Sequence, residues 1–556
     1  MTDDEQAGGA SMTAEYHRRG WWGTATIADI VAGRAAGPGG GQPAFLGDGH
    51  RLSWAQYDEQ STRLAALLAR PACTGLRRGE RVAVWLPDGP LLHVVYLALE
   101  KAGGVIVGIS ARAGPAELRH LLARTSATTL VSLAEHRGRA TAAVAEQLRA
   151  DGLTFRHLVL GARGATAELD GRALAWPDAP GARPGPGLGA DDLWLVNSTS
   201  GTTGLPKCVM HSQNRWMYFH QLAVEAGALT AADTWLSALP SPFGFGIWTA
   251  HVTPAILGCP TVLTERFSPD EVLSLIGRHR VTVLACVSTQ LVMLLNAAGR
   301  GAAELASLRV VFTGGEAVPY DRAARFEDRF GVTVLQFFGS NETGALSRTT
   351  LADSREARLR TAGRVIGDMQ VRLFDEAGAD VTATGRGIPA GRGPATCLGY
   401  LDDAAANAKL RTADGWMLMG DVVELDRDGY LTVIGRTADV IIRGGTNISA
   451  AQVEEAVASH PAVALAAAVA VADPVFGERV CVFAELTPGR ELQLDGLRDH
   501  LRASGVSPQL WPERLEVLPA LPLTLGGKVA KAELRRRASG LPAPGPAAHD
   551  RDRFTP

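Results

Sequence analysis

The stretch Ser198-Thr-Ser-Gly-Thr-Thr-Gly-Leu-Pro-Lys207 concentrates groups suited to holding phosphate. Gly201 and Gly204 let the backbone turn tightly and bring N–H groups close to an anion. Ser198, Thr199, Ser200, Thr202 and Thr203 add hydroxyl donors, and Lys207 adds a compact positive charge. The same residue types also build ordinary solvated turns. Spacing argues against a Walker loop, which needs four residues between its glycines and Ser or Thr after the lysine. Here Thr202 and Thr203 alone separate the glycines, and Cys208 follows Lys207.

Further stretches follow in order: Thr313-Gly-Gly-Glu-Ala317, Gln336-Phe-Phe-Gly-Ser-Asn-Glu342, Gly420-Asp421, Gly435-Arg436 and Pro522-Leu-Thr-Leu-Gly-Gly-Lys528. Singly, each is ordinary. Glu342 and Asp421 would be solvated or capping carboxylates, Lys528 a surface lysine, and Gly-Gly-Glu a turn. Their order and co-occurrence carry the signal.

In that order, and over nearly the whole chain, these stretches resemble the motifs of the adenylate-forming superfamily. That group holds acyl-CoA synthetases, aryl-acid ligases, nonribosomal adenylation domains and luciferases. The resemblance implies ATP contacts from the 198–207 loop and from Gly315, Glu316, Ala317, Gln336, Phe337, Phe338, Gly339 and Asn341. Within that set Phe338 would pack on adenine and Gln336 would reach its exocyclic amine. It implies Mg²⁺ at Glu342 and Thr203, ribose hydroxyls at Asp421, ribose or phosphate at Arg436, and catalysis by Lys528. A carboxylate suits Mg²⁺ beside phosphates, and can also accept two hydroxyl hydrogen bonds. Arg443-Gly-Gly445 resembles the loop lining the family's pantetheine tunnel.

The chain departs from the family pattern in places. Asn341 replaces the usual threonine before the metal glutamate, and Met419 precedes Gly420-Asp421. Gly387-Ile388 stands for Gly-Glu, and Ala438 occupies the usually charged hinge position. On the acid side, Leu239-Pro-Ser-Pro-Phe-Gly-Phe-Gly246 falls where the family lines its acyl pocket. Phe243 replaces a frequent histidine, and Gly244 stands where dihydroxybenzoate-type ligases place asparagine. No aspartate is present there to bind an α-amino group. Phe243, Gly244, Phe245, Gly314 and Gly339, with Phe338, are expected to wall a flat apolar slot, though aromatics of this kind also fill cores. The opening Tyr16-His-Arg-Arg-Gly-Trp-Trp22 resembles aryl- and cyclic-acid ligases.

The implied reaction has two halves. A carboxylate attacks the α-phosphorus of ATP, and a thiol of CoA or of a carrier protein's phosphopantetheine then takes the acyl group. The alternative is an ATP-dependent diazotase coupling nitrite to an aryl amine in bacterial secondary metabolism. Retention of Lys528, Glu342 and Asp421 argues against a non-catalytic relative.

Composition sets the frame. A chain of 556 residues exceeds one hydrophobic core. A net charge of −3 suggests neither a nucleic-acid nor a membrane partner, and a monomer or homodimer is expected. The apolar run from Ala462 to Ala472 is about half the length needed to cross a bilayer. The acidic start lacks a signal-peptide core. Six scattered cysteines, with no C-x-x-C, read as reduced thiols of a cytoplasmic protein.

The elements follow from patterning. Residues 1–15 read as disordered, and Ala44–Trp54 as a hairpin turning at Asp48-Gly49. Apolar strands at 81–85, 104–108, 193–196, 281–285, 308–312 and 332–337 alternate with helices at 54–69, 91–101 and 320–330, which predicts parallel sheets. Residues 161–190 read as a Gly- and Pro-rich surface excursion, and 362–435 as antiparallel with Asp-Gly turns. The expected fold is α/β. Residues 1–435 form a large domain of two α/β subdomains plus an antiparallel β subdomain. Residues 436–540 form a small, mobile α+β domain carrying Lys528, and 541–556 a disordered tail.

Overall fold

The computed structural model describes residues 12–47, 50–162, 164, 166–177, 184–198, 206–297, 305–315, 318–436, 439–443 and 446–541. Several expectations lie outside the described residues: the Asp48-Gly49 turn, Thr199 to Gly204, Glu316, Ala317, Ala438, Gly444, Gly445, the Arg436 side chain and all but the first residue of the tail.

Two nine-stranded sheets form the body. The first runs Arg172–Leu174, Ala167–Leu169, Arg156–Leu160, Thr129–Leu133, Arg81–Trp85, Val105–Ile109, Leu195–Ser198, Cys208–His211 and Gly399–Tyr400. Its centre, from Arg156 to Ser198 in spatial order, is parallel. Val105–Ile109 is buried at every position, as a parallel strand covered on both faces must be. The second sheet has a parallel centre that includes Thr333–Ser340, Val310–Gly314, Val283–Ala285, Trp235–Ser237 and Thr261–Leu263. Its edge is the hairpin Pro43–Gly47 with His50–Ser53. Helix Trp54–Ala69 starts where Ser53 and Gln56 form a reciprocal cap.

A third, antiparallel sheet holds Gln370–Phe374, Arg386–Arg392, Asp421–Leu425 and Leu431–Arg436. A separate sheet follows in the small domain: Thr446–Ser449, Val440–Arg443, Gly477–Leu486 and Val463–Asp473, with Arg514–Leu518 on Gly477–Leu486. Helices Ala450–Ala458 and Leu494–Ala503 pack on it through Val453, Val457, Leu497 and Leu501. Arg322 of the large domain donates to the carbonyls of Ala458 and Val463, which docks the two domains.

Two expectations need correction. Residues 12–15, expected to be disordered, begin a helix over residues 12–18, and the aromatic arm after it docks on the body. Trp22 Nε1 donates to the Pro394 carbonyl at 3.1 Å, Trp21 packs on Tyr218, and the Gly23 N–H donates to Asn214 Oδ1 at 3.0 Å. Residues 161–190 are more than an excursion, since Ala167–Leu169 and Arg172–Leu174 extend the first sheet as a hairpin. The six cysteines are buried and free. Among the described residues, no helix is long and apolar enough to cross a membrane.

Candidate active site

Ser198, Gly314 and Ser340 each end a strand of the two large sheets. Ligands of open α/β sheets bind outside such carboxyl ends. Along Thr333–Ser340 side chains alternate between faces. Phe337, opposite Gly314 in register, packs against Phe219, Phe312 and Trp248. Gln336 and Phe338 take the other face. Gln336 Nε2 donates to the Arg358 carbonyl at 2.8 Å, which fixes the amide. Phe338 is half-buried.

Beyond the strand the chain turns so that the Glu342 N–H donates to Ser340 Oγ at 3.2 Å. Glu342 Oε1 accepts from the Tyr400 hydroxyl at 2.8 Å, and Lys207 Nζ stands 4.6 Å from the centre of the Tyr400 ring. Tyr400 thus links Lys207, expected to meet phosphate, to Glu342, expected to hold Mg²⁺. Mg²⁺ takes one or two carboxylates and completes its shell with phosphates and water, so a single Glu342 fits it. No cluster of three or more ligating side chains exists among the described residues. Asp421 is buried and opposes Arg436 at the start of its strand.

Lys528 arrives from the small domain on a tight turn. The Thr524 N–H donates to the Lys528 carbonyl at 2.6 Å, and the Lys528 N–H to Thr524 Oγ1 at 3.2 Å. Its ammonium donates to the Gly315 carbonyl at 2.6 Å. Gly315 has φ +80°, and a Cβ there would lie 2.7 Å from Lys528 Nζ. The positive φ is what calls for glycine, since the ammonium is the movable end of a flexible side chain. Arg443 is engaged within its own domain: it pairs with Glu513 and donates to the Gln509 carbonyl at 2.7 Å.

In the segment expected to wall the acid, Phe243 precedes the short helix Gly244–Ile247, and Phe245 stacks on Trp248 with centroids 5.6 Å apart. Trp248–Val252 is a π-helical turn, a distortion common at functional sites. An aromatic wall runs through Trp216, Phe219, Trp248 and Phe337. Gly244 lies against it: a Cβ would fall 2.7 Å from Asn341 Oδ1 and 2.9 Å from Trp216.

Sequence reading missed Asn197, His211, Arg215, Trp216 and Tyr400. Arg215 is buried and stacks on Trp216. It donates to His211 Nδ1 and, at 2.7 Å, to the Asn341 carbonyl. Burial lowers its guanidinium to about 10 against the opposing pull of Cys397 and Glu342. Burial, then Arg215, hold His211 neutral, well below the usual imidazole range. A clustering of buried polar types in His211–Arg215 was the one available signal, and it does not name partners.

The family model for AMP-binding enzymes matches residues 32–401, and that for the AMP-binding enzyme C-terminal domain matches residues 452–528. A salicylyl-CoA synthase / salicylate adenylyltransferase of Streptomyces sp is 34% identical, covering 94% of this chain and 95% of its own. The salicyl-AMP ligase / salicyl-S-ArCP synthetase of Mycobacterium tuberculosis is 32% identical, covering 95% and 93%. The crystal structure of the anthranilate CoA ligase AuaEII with anthranoyl-AMP has a TM-score of 0.83 at 22% identity, over 93% of this chain and 98% of that one. The chain belongs to the AMP-binding enzyme family and is an ATP-using, AMP-forming ligase.

Proposed function

We propose that the protein activates an aryl or cyclic carboxylic acid as its acyl-AMP and passes the acyl group to a thiol of CoA or of a carrier protein. The observation that carries this reading is the Lys528–Gly315 contact, which holds the small-domain lysine beside the strand ends of the large domain. In the first half-reaction the acid's carboxylate attacks the α-phosphorus of ATP and pyrophosphate leaves. Lys528 neutralises charge growing on the bridging oxygens, and the 198–207 loop receives the pyrophosphate. Phe338 and Gln336 hold adenine, Asp421 and Arg436 the ribose side. Mg²⁺ at Glu342, with Thr203, would offset phosphate charge. Such catalysis is positioning and electrostatics.

The aryl preference is supported by the aromatic wall along Gly244 and by relatives named for salicylate. In this reading residues 436–540 are the mobile domain and rotate between the half-reactions, and the enzyme works in the cytoplasm. The two relatives divide over the thiol, one named for CoA and the other for a carrier protein. The test is ATP–pyrophosphate exchange over a panel of acids, followed by product masses with CoA, with a phosphopantetheinylated carrier protein, and with nitrite plus an amino-aryl acid. A thioester supports the proposal. A diazo product that needs enzyme and ATP, with no thioester under any condition, overturns the second half.

A further inference from the structure

The amide of Asn341 has an orientation that its neighbours dictate. A guanidinium only donates, so His211 Nδ1, which meets Arg215, must accept. The imidazole, held neutral, therefore carries its proton on Nε2. That proton faces the Asn197 side chain at 2.8 Å, so the atom there is Oδ1. The same oxygen takes a second donor at 2.7 Å, which must be Asn341 Nδ2. The remaining arm of Asn341 is an oxygen. Among the described residues it receives one long contact, from Asn197 Nδ2 at 3.4 Å. It faces Gly244, 2.7 Å from the point a Cβ would occupy.

Arg215 fixes the other end as well, since it donates to the Asn341 carbonyl at 2.7 Å. The chain Arg215–His211–Asn197–Asn341 thus ends in a weakly satisfied acceptor against the acyl wall. We propose that Asn341 is a specificity-determining residue for the acid, its Oδ1 accepting from an amino or hydroxyl substituent on the substrate ring. This rests on the reading of the Gly244 segment as the acyl wall. A neutral acceptor disfavours a nitro or second carboxylate group at that point, because acceptor would meet acceptor.

The test compares amino- and hydroxybenzoates with the methylbenzoates of matching position and size in ATP–pyrophosphate exchange. One hydrogen bond made or lost predicts kcat/KM about ten- to a hundred-fold higher for the best donor acid than for its methyl counterpart. In Asn341→Leu that ratio falls to about one or inverts. Methyl acids as good as donor acids in the native enzyme, or an unchanged ratio in Asn341→Leu, overturn the inference while leaving acid activation intact. Exchange with no acid at all overturns the activity and the inference together. If Asn341→Leu does not fold, the native acid series decides alone.

Discussion

The Lys528 ammonium donates to the carbonyl of Gly315 at 2.6 Å, joining a small-domain turn to the end of the large-domain strand Val310–Gly314. The positive φ of Gly315 presents that carbonyl, and its missing Cβ leaves room for the ammonium. The lysine is therefore held at the strand ends by the fold; in the proposed reaction it would exchange this carbonyl oxygen for a phosphate oxygen.

Lys528→Ala removes this cation while leaving its half-exposed turn in place. By analogy with deleting one oxyanion donor, transition-state stabilisation falls by roughly 3 kcal/mol or more. The melting temperature stays close to that of the native enzyme. Pyrophosphate exchange and a thermal melt on the same preparation check both statements, and full exchange activity would remove Lys528 from the chemistry.

Gly244→Leu drives a side chain into Asn341 Oδ1 and Trp216. KM for aryl acids should rise by a factor corresponding to about 1–3 kcal/mol, with ATP binding retained. Steady-state kinetics over acids of graded width provide the check. An unaltered width preference would place the acyl wall elsewhere.

Strands and helices of the body were readable because their signals are local. Arg81–Trp85 and Tyr320–Phe330 have the bounds their patterns predict, the first as a continuous apolar run and the second as an amphipathic helix. Helix Gln213–Gly227 was not readable, since it is buried over most of its surface and shows no stripe. Two of its polar residues meet partners far along the chain, Arg215 at Asn341 and Asn214 at Gly23. The same distinction divides the site. Lys528, Glu342 and Asp421 stood out through residue type and order, whereas Asn197, His211 and Tyr400 matter through partners that no spacing encodes.

Tyr400→Phe deletes the hydroxyl that bonds Glu342 Oε1 but keeps the ring beneath Lys207. A hydrogen bond to a charged group contributes about 1.5–3 kcal/mol. The variant should bind Mn·ATP more weakly in an electron paramagnetic resonance titration and need more Mg²⁺ for half-maximal exchange, with its acid preference unchanged. Equal metal–nucleotide affinity in the two proteins would reduce Tyr400 to a packing residue.

Glu100→Gln tests a pH dependence seated away from the nucleotide. Glu100 is 1% exposed, and its Oε1 accepts from the Ala28 N–H at 2.7 Å where helix Ile27–Ala36 docks. Burial raises its carboxyl from 4.5 to about 7, outweighing the Ala28 bond and the nearby Lys101, which pull it down. The folded state therefore holds this proton more tightly than the unfolded chain does. The resulting stability is complete below pH 4.5 and is lost as pH rises to about 7. Gln keeps the acceptor for Ala28 and never ionises. The two proteins should match in acid, and the variant should gain above pH 7 by up to about 3 kcal/mol. Urea midpoints at a series of pH values measure the difference. A variant less stable than the native protein at pH 8 would mean that the ionised carboxylate stabilises the docked helix, and would reverse the sign of this pH dependence.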